Sequence, residues 1–254
     1  MPTLQALLFD VDGTLADTER DGHRIAFNRT FAEAGLDWDW SIERYGELLE
    51  VTGGKERIKR YLERYRPDFE APGDLDAFVA GLHRQKTRHY VGLLEGGGIP
   101  LRSGVARLLR EARDAGLRLA IATTTTPENV TALLAATLGR EAIAWFEVIA
   151  AGDVVPAKKP APDIFTYALE QMNLPAAACL AFEDSENGLR ASRGAGLRTL
   201  VTVNDYTRTH DFEGALLVLD QLGEPGQPMR VIAGAAGSAT MVDVALLRRI
   251  ADAA

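Results

Sequence analysis

Residues 9–18 read FDVDGTLADT, and Ala6 to Phe9 lead into them as an apolar run. The run ends at Asp10, a second carboxylate follows at Asp12, and Gly13 and Thr14 come next. This order predicts a buried strand that stops at a tight turn carrying two acids. A carboxylate at the end of an apolar strand has to be hydrogen-bonded, paired with a cation or bound to a metal. Taken alone, Asp12-Gly13 also reads as an ordinary chain reversal. The remainder of the chain has to decide between a turn and a site.

Downstream of the turn the periodicity is helical. Ile25, Phe27, Phe31 and Ala32 predict an amphipathic helix that stops near Gly35. Helical spacing recurs at Ile42, Tyr45, Leu48 and Leu49, at Ile58, Tyr61, Leu62 and Tyr65, and at Leu75, Phe78, Val79 and Leu82. No strand pattern interrupts these segments, and Gly96-Gly97-Gly98 bounds them. Residues 17–98 are therefore expected to form an all-helical insertion, with residues 1–16 and 99–254 forming the other domain.

From Ile99 onward, short apolar strands alternate with helices. Strands are expected at Leu117 to Ala122, Phe146 to Ile149, Cys179 to Phe182, Leu197 to Val203 and Leu216 to Leu219. Ser103 is expected to cap a helix that ends at Gly116, and further helices start after Pro127 and Pro162 and run over Gly188 to Ala195. The strands are apolar throughout rather than alternating, which indicates a parallel sheet covered on both faces. The fold class is thus α/β, a Rossmann-like parallel sheet with an inserted helical cap. Gly223 to Gly237 reads as irregular, and Met241 to Ala251 as a last helix with no assigned function.

Composition narrows the function. The chain has 254 residues, 46% of them hydrophobic, and a net charge of -8. That charge argues against nucleic acid or an anionic membrane as partner. No stretch approaches the roughly 20 apolar residues of a membrane helix, and the short run from Leu4 does not resemble a signal peptide. The lone Cys179 cannot form an internal disulfide. A cytoplasmic, monomeric protein is expected.

In open parallel sheets, ligands bind beyond the carboxyl ends of the strands. The residues there are consistent in kind. The first strand ends in Asp10 and Asp12, the second in the hydroxyl run Thr123, Thr124, Thr125 and Thr126, the third leads to Lys158 and Lys159, and the fourth ends in Glu183 and Asp184. Each has an ordinary explanation, as solvated loop, surface lysine or helix cap. Together they suit phosphoryl transfer through an aspartyl-phosphate. Asp10 is the expected nucleophile. Mg2+ is the expected cofactor, held by Asp10, Asp184 and the Asp12 carbonyl, with Glu183 orienting a metal-bound water. Asp12 is the expected general acid and base. Thr123 and Lys159 would hold the phosphoryl oxygens, with Thr124 and Thr125 beside them.

DVDGT at 10–14, the strand-end Thr123, Lys159-Pro160 and FEDS at 182–185, in that order with a helical insert after the first, resemble the haloacid dehalogenase superfamily. The dehalogenases themselves usually lack the second aspartate, so Asp12 points to the phosphatase and phosphomutase branch. TGGKER at 52–57, HRQKT at 83–87 and ATTTTPENV at 122–130 further resemble the CbbY-type family. That resemblance implies hydrolysis of xylulose 1,5-bisphosphate, an inhibitory by-product of Rubisco, to xylulose 5-phosphate. It implies substrate contacts from Thr52, Gly53, Gly54 and His83, a second phosphate held by Lys55, Arg57, Arg84 and Lys86, and sugar contacts from Asp17 and His23. Other sugar-phosphate phosphatases, of phosphoglycolate type for example, and a mutase resembling beta-phosphoglucomutase stay open, as do a C-P bond hydrolase and a catalytically silent binding module.

Overall fold

The computed structural model describes residues 3–252. Seven strands form one sheet: β1 (Ala6–Phe9), β2 (Arg118–Ala122), β3 (Phe146–Ala150), β4 (Cys179–Glu183), β5 (Arg198–Thr202), β6 (Leu217–Leu219) and β7 (Val231–Gly234), in the spatial order β3-β2-β1-β4-β5-β6-β7. All neighbouring pairs are parallel except β6 and β7. Strand order reverses at β1, whose chain continuation leads to β2 on one side while β4 lies on the other, so a crevice opens at its carboxyl end.

Period-two alternation assigns each strand residue to a layer. Leu7, Phe9, Leu119, Ile121, Leu180 and Phe182 join one core, together with Leu108 and Leu109, Val130 and Leu133, and Leu246 and Leu247. These last pairs lie on α5 (Val105–Asp114), α6 (Pro127–Leu138) and α9 (Val244–Asp252). The opposite face is built of small residues, Ala6, Ala120, Ala122 and Ala181 with Leu8, and packs on Ile164, Phe165, Ala168 and Ala191. Those belong to α7 (Asp163–Met172) and α8 (Glu186–Gly194). Alanine on the strands leaves room for the bulkier helix side chains to fill that layer at crystal-like density.

Between β1 and Gly98 the chain forms helices alone: a π-helical turn at Glu19–His23, then α1 (Arg24–Glu33), α2 (Ile42–Leu48), α3 (Gly54–Tyr65) and α4 (Leu75–Glu95). Their core is aromatic, with Phe27, Phe31, Trp38, Trp40, Tyr45 and Tyr61 buried together. Ser41 and Asp74 cap α2 and α4, each accepting a backbone N–H three residues on. The two crossings between this unit and the sheet run side by side, since Ala16 bridges Leu101 and Arg102 N donates to Leu15 O at 2.9 Å.

Two expectations are corrected. Gly104, not Ser103, caps α5: its φ of 86° suits glycine, and a Cβ there would fall 2.5 Å from Gly223 O. The Gly/Pro-rich tail is also not wholly irregular, because Val231–Gly234 adds β7 antiparallel to β6. Among the described residues no helix is long and apolar enough to cross a membrane.

Candidate active site

The site starts from backbone register. Asp10 N donates to Phe182 O at 3.0 Å, which ties the end of β1 to the end of β4, and the Phe9 and Phe182 rings stack beneath at 4.5 Å. Asp10 therefore emerges beside Glu183 and Asp184. Lys159, from the loop after β3, donates to Asp10 Oδ1 and to Glu183 Oε1, each at 2.6 Å. Asn204, just past β5, donates to Asp184 Oδ2 at 2.7 Å. Gly13 turns the chain at a φ of 89°, and a Cβ there would lie 2.3 Å from Asp184 Oδ2, so only glycine lets the turn come this close.

Charge in this cluster is unbalanced. Asp10, Glu183 and Asp184 are all buried, and one oxygen from each lies within 4.8 Å of the others. One ammonium faces three carboxylates. Burial opposes the charged form of Lys159, but Asp10 and Glu183 outweigh it and raise its pKa. Burial pushes Glu183 up to about 8, with Lys159 opposing and Asp10 adding to the rise. Burial, Asp10 and Glu183 together raise Asp184 well above the carboxylate range. Oxygen-only donors crowded with surplus negative charge fit a hard divalent cation such as Mg2+. The Asp12 side chain stands outside this carboxylate cluster, so any contribution of Asp12 to a metal comes from its carbonyl.

Instead, the Asp12 carboxylate is gripped from the helical unit. Thr18 Oγ1 donates to Asp12 Oδ1 at 2.5 Å, and His23 Nε2 meets the same oxygen at 2.8 Å. Residues five apart diverge on an α-helix, whereas the wider π-turn at Glu19–His23 brings them to one side. Lys86 Nζ lies 2.8 Å from His23 Nδ1. An ammonium has only donors, so Nδ1 accepts and the ring proton sits on Nε2, aimed at Asp12. Burial favours a neutral Asp12, but His23 and Thr18, with Lys86 behind them, outweigh it and lower its pKa. Lys86 is itself held down to about 8 by burial, against the pull of Asp12 and Glu19.

A cavity of about 420 Å³ opens above the carboxylates. Its floor includes Thr123 and Thr124, and its roof includes Thr52, Arg57 and Glu19. Arg57 donates to Tyr45 Oη at 2.7 Å and lies 3.5 Å from Glu19, to which Tyr45 also donates. Asn187 on α8 reaches up to Thr52 Oγ1 at 3.3 Å. Thr125 is buried and accepts from Asn129 at 2.8 Å. The other residues expected to touch substrate are placed differently. Lys86 is buried against His23, and Arg84 is exposed. Gly53 caps α3 and Gly54 packs on the His83 ring, whose imidazole burial holds down to about 3 with Lys86 and Lys55. Lys55 pairs with Asp153 at 2.6 Å. Asp17 turns away into a second groove and lies 3.5 Å from Arg102.

Besides Thr18 and Asn187, four residues near the site escaped the sequence reading. Glu19, Tyr45 and Asn204 are described above, and Arg102 donates to the carbonyls of Thr202, Val203 and Asp220 at 3.0, 2.6 and 3.0 Å and to Gly13 O. Arg102 thereby braces the Gly13 turn from behind. Of these, only Glu19 carried a signal, as an acid beside the FDVDGTLADT stretch.

Comparison with known proteins agrees with this geometry. The profile of the haloacid dehalogenase-like hydrolases matches residues 4–196. Protein CbbY of Rhodobacter capsulatus is 55% identical over 84% of this chain and 91% of its own, and plasmid-encoded CbbY of Cupriavidus necator is 51% identical over 89% of each. The crystal structure of the D10N mutant of Rhodobacter sphaeroides CbbY, in complex with xylulose-(1,5)bisphosphate, superposes with a TM-score of 0.81 at 50% identity, covering 88% of this chain and 96% of that one. The sheet order, the buried carboxylates at its crevice and these matches place the chain in the haloacid dehalogenase-like hydrolase family, in its CbbY group.

Proposed function

We propose that this hydrolase is a sugar-bisphosphate phosphatase that converts xylulose 1,5-bisphosphate to xylulose 5-phosphate by way of phosphorylated Asp10. The observation that carries the mechanism is the separation of two aspartates by environment. Asp10 sits among carboxylates with a lysine on one oxygen, while Asp12 is held apart by Thr18 and His23. In the substrate-free protein burial raises the Asp10 pKa, whereas His23 and Thr18 outweigh burial at Asp12 and lower it; a cation beside Asp10 and a phosphate beside Asp12 would reverse the two and divide nucleophile from acid and base. The substrate reading is supported by the bisphosphate bound to the Rhodobacter sphaeroides relative.

In the first step an Asp10 oxygen attacks phosphorus and the bond to the sugar oxygen breaks. Asp12 supplies the proton that the departing alkoxide needs. Both protein bonds to Asp12 fall on Oδ1, which leaves Oδ2 for that proton. Asp12 is a carboxylate in the substrate-free protein, and an arriving phosphate dianion raises its pKa toward the acid form. In the second step Asp12 takes a proton from water as that water attacks phosphorus, and Asp10 is released with free phosphate. Lys159 and Thr123 hold the phosphoryl oxygens throughout. Asp10, Asp184 and the Asp12 carbonyl would hold Mg2+, and Glu183, bonded to Lys159, would order the water on it. The chemistry a bound Mg2+ supplies is neutralisation of charge between two anions.

Residues 17–98 act as a lid over the core of 1–16 and 99–254, hinged where Ala16 and Leu101 pair. Lys55 and Arg57 take the second phosphate when substrate enters, and Thr52 and His83 line its approach. The test is phosphate release across sugar mono- and bisphosphates. Stoichiometric release from xylulose 1,5-bisphosphate with rejection of ribulose 1,5-bisphosphate is expected. Turnover that persists in Asp10→Asn protein, or a bisphosphate intermediate that accumulates from a monophosphate, overturns the reading.

A further inference from the structure

The loop after β3 carries a carboxylate with no part in the mechanism above. Asp153 Oδ2 accepts from Lys55 Nζ at 2.6 Å, and its Oδ1 accepts from Lys158 Nζ at 2.7 Å. Lys158 also donates to Gly152 O at 2.5 Å, which fixes the lysine against the loop. Lys55 belongs to α3 in the helical unit, whereas Asp153 and Lys158 belong to the sheet side, so the pair bridges the two. Hydrogen bonds from Lys158 and Lys55 hold the Asp153 carboxyl down to about 2, so it is an anion throughout the neutral range.

The surroundings are those of an anion site. Gly152 lies against Thr126 and Pro127, so Asp153 stands beside the threonine run and the amino end of α6. A cation from the helical unit and one from the sheet side converge on one point, and the group they hold is a side chain of the same molecule. An ammonium bonded to a carboxylate is not free for a phosphate.

We propose that Asp153 is a specificity-determining residue: in the substrate-free enzyme it holds Lys55 in place of the substrate's second phosphate, and a bisphosphate has to displace it. This rests on the reading of Lys55 as a residue for that second phosphate. A distal phosphate brings two negative charges to the exchange and repays the lost pair; a distal hydroxyl brings none and leaves the Asp153–Lys55 pair in place. The residue therefore sets a threshold that only doubly phosphorylated sugars have to cross, and its loss acts on them alone.

Asp153→Asn removes the charge and keeps the size, at a side chain that is 64% exposed. For an exposed pair the expected effect is a fall in KM for xylulose 1,5-bisphosphate of about two- to fivefold, with KM for xylulose 1-phosphate and both kcat values unmoved. A purely structural role would shift both substrates together. Added to Lys55→Ala, the same substitution should do nothing further. An unchanged or raised bisphosphate KM in Asp153→Asn, or an equal fall for both substrates, overturns the proposal. Lys55→Ala tells the two failures apart. If it raises the bisphosphate KM selectively while Asp153→Asn does nothing, the proposal alone falls; if it shifts both substrates equally, the reading of Lys55 falls with it.

Discussion

At the sheet end, Asp10, Glu183 and Asp184 stand on the last residue of a strand or the one after it, so the hydrogen bonds of the sheet fix where each carboxylate emerges. In the helical unit the charged groups are held differently. Glu19, Tyr45 and Arg57 hold one another, and His23 rests between Lys86 and the Tyr90 ring, 4.0 Å away. Groups fixed by backbone suit bond making and breaking, where small displacements are costly. Groups that hold each other can exchange partners when an anion arrives. Asp12 joins the two regions, with its backbone in the sheet-side turn and its carboxylate bonded from the helices.

Substitutions on the sheet side should therefore act mainly on turnover. Asp10→Asn is expected to lower kcat by at least ~10⁴-fold, as removal of a covalent nucleophile does. Its melting temperature should stay within a few degrees of the native protein, because the amide keeps the bond from Lys159. An active Asp10→Asn enzyme would erase the contrast between the regions. Asp12→Asn should cost ~10²–10⁴-fold in kcat, the range for general acid–base catalysis. His23→Gln should cost less than that while leaving substrate KM nearly unchanged. A His23→Gln effect confined to KM would move that residue from holding Asp12 to holding sugar.

How legible each region was follows the same division. A strand-end acid is announced by the apolar run before it, so Asp10, Thr123, Glu183 and Asp184 could be read from local pattern. Their convergence followed from the rule that ligands sit at carboxyl ends of parallel strands. Nearness to the hinge in sequence does not say which side of the chain the Asp17 side chain takes; here it takes the Arg102 side. Tyr45 read as one more apolar helix position, since nothing in its neighbours names Arg57 and Glu19 as partners. Asn204 and Arg102 act on turns 20 and 89 residues away, and no local signal carries such pairings. β7 was missed because its four residues lie within glycine- and proline-rich chain, and its pairing comes from β6 rather than its own pattern.

Lys86 provides a pH test of the helical side. Its folded pKa of about 8 lies below the ordinary 10.5, so the folded protein pays to keep the ammonium buried at neutral pH. Below pH 8 folded and unfolded chains both carry the proton and stability does not respond to it. Between about 8 and 10.5 the unfolded chain binds more proton, so stability rises with pH, by up to ~3 kcal/mol from this group. Lys86→Met should lack that rise. Denaturant titrations of both proteins from pH 7 to 10 would read the difference, which should be largest at pH 7 in favour of the variant and shrink with pH. A difference that stays flat would mean that the fold does not lower the Lys86 pKa.

The smallest effect is expected where charge is most crowded, because the crowding is relieved by whatever binds there. Asp184 has Asp10 and Glu183 close by, Lys159 is shared between those two, and its own hydrogen bond comes from an uncharged amide. Without a cation the cluster is a net cost to the fold. Asp184→Asn removes one of the three acids while keeping an oxygen to accept from Asn204, so the metal-free variant should melt higher than the metal-free native protein, by ~2–8 °C. Adding Mg2+ should raise the native melting temperature by mass action on the folded state and leave the variant nearly where it was. Calorimetry with and without Mg2+ gives four melting temperatures, and the expected order places the metal-free native protein lowest. A variant that melts below it would mean that the three acids are already balanced within the protein, with Lys159 and Asn204 sufficient for them.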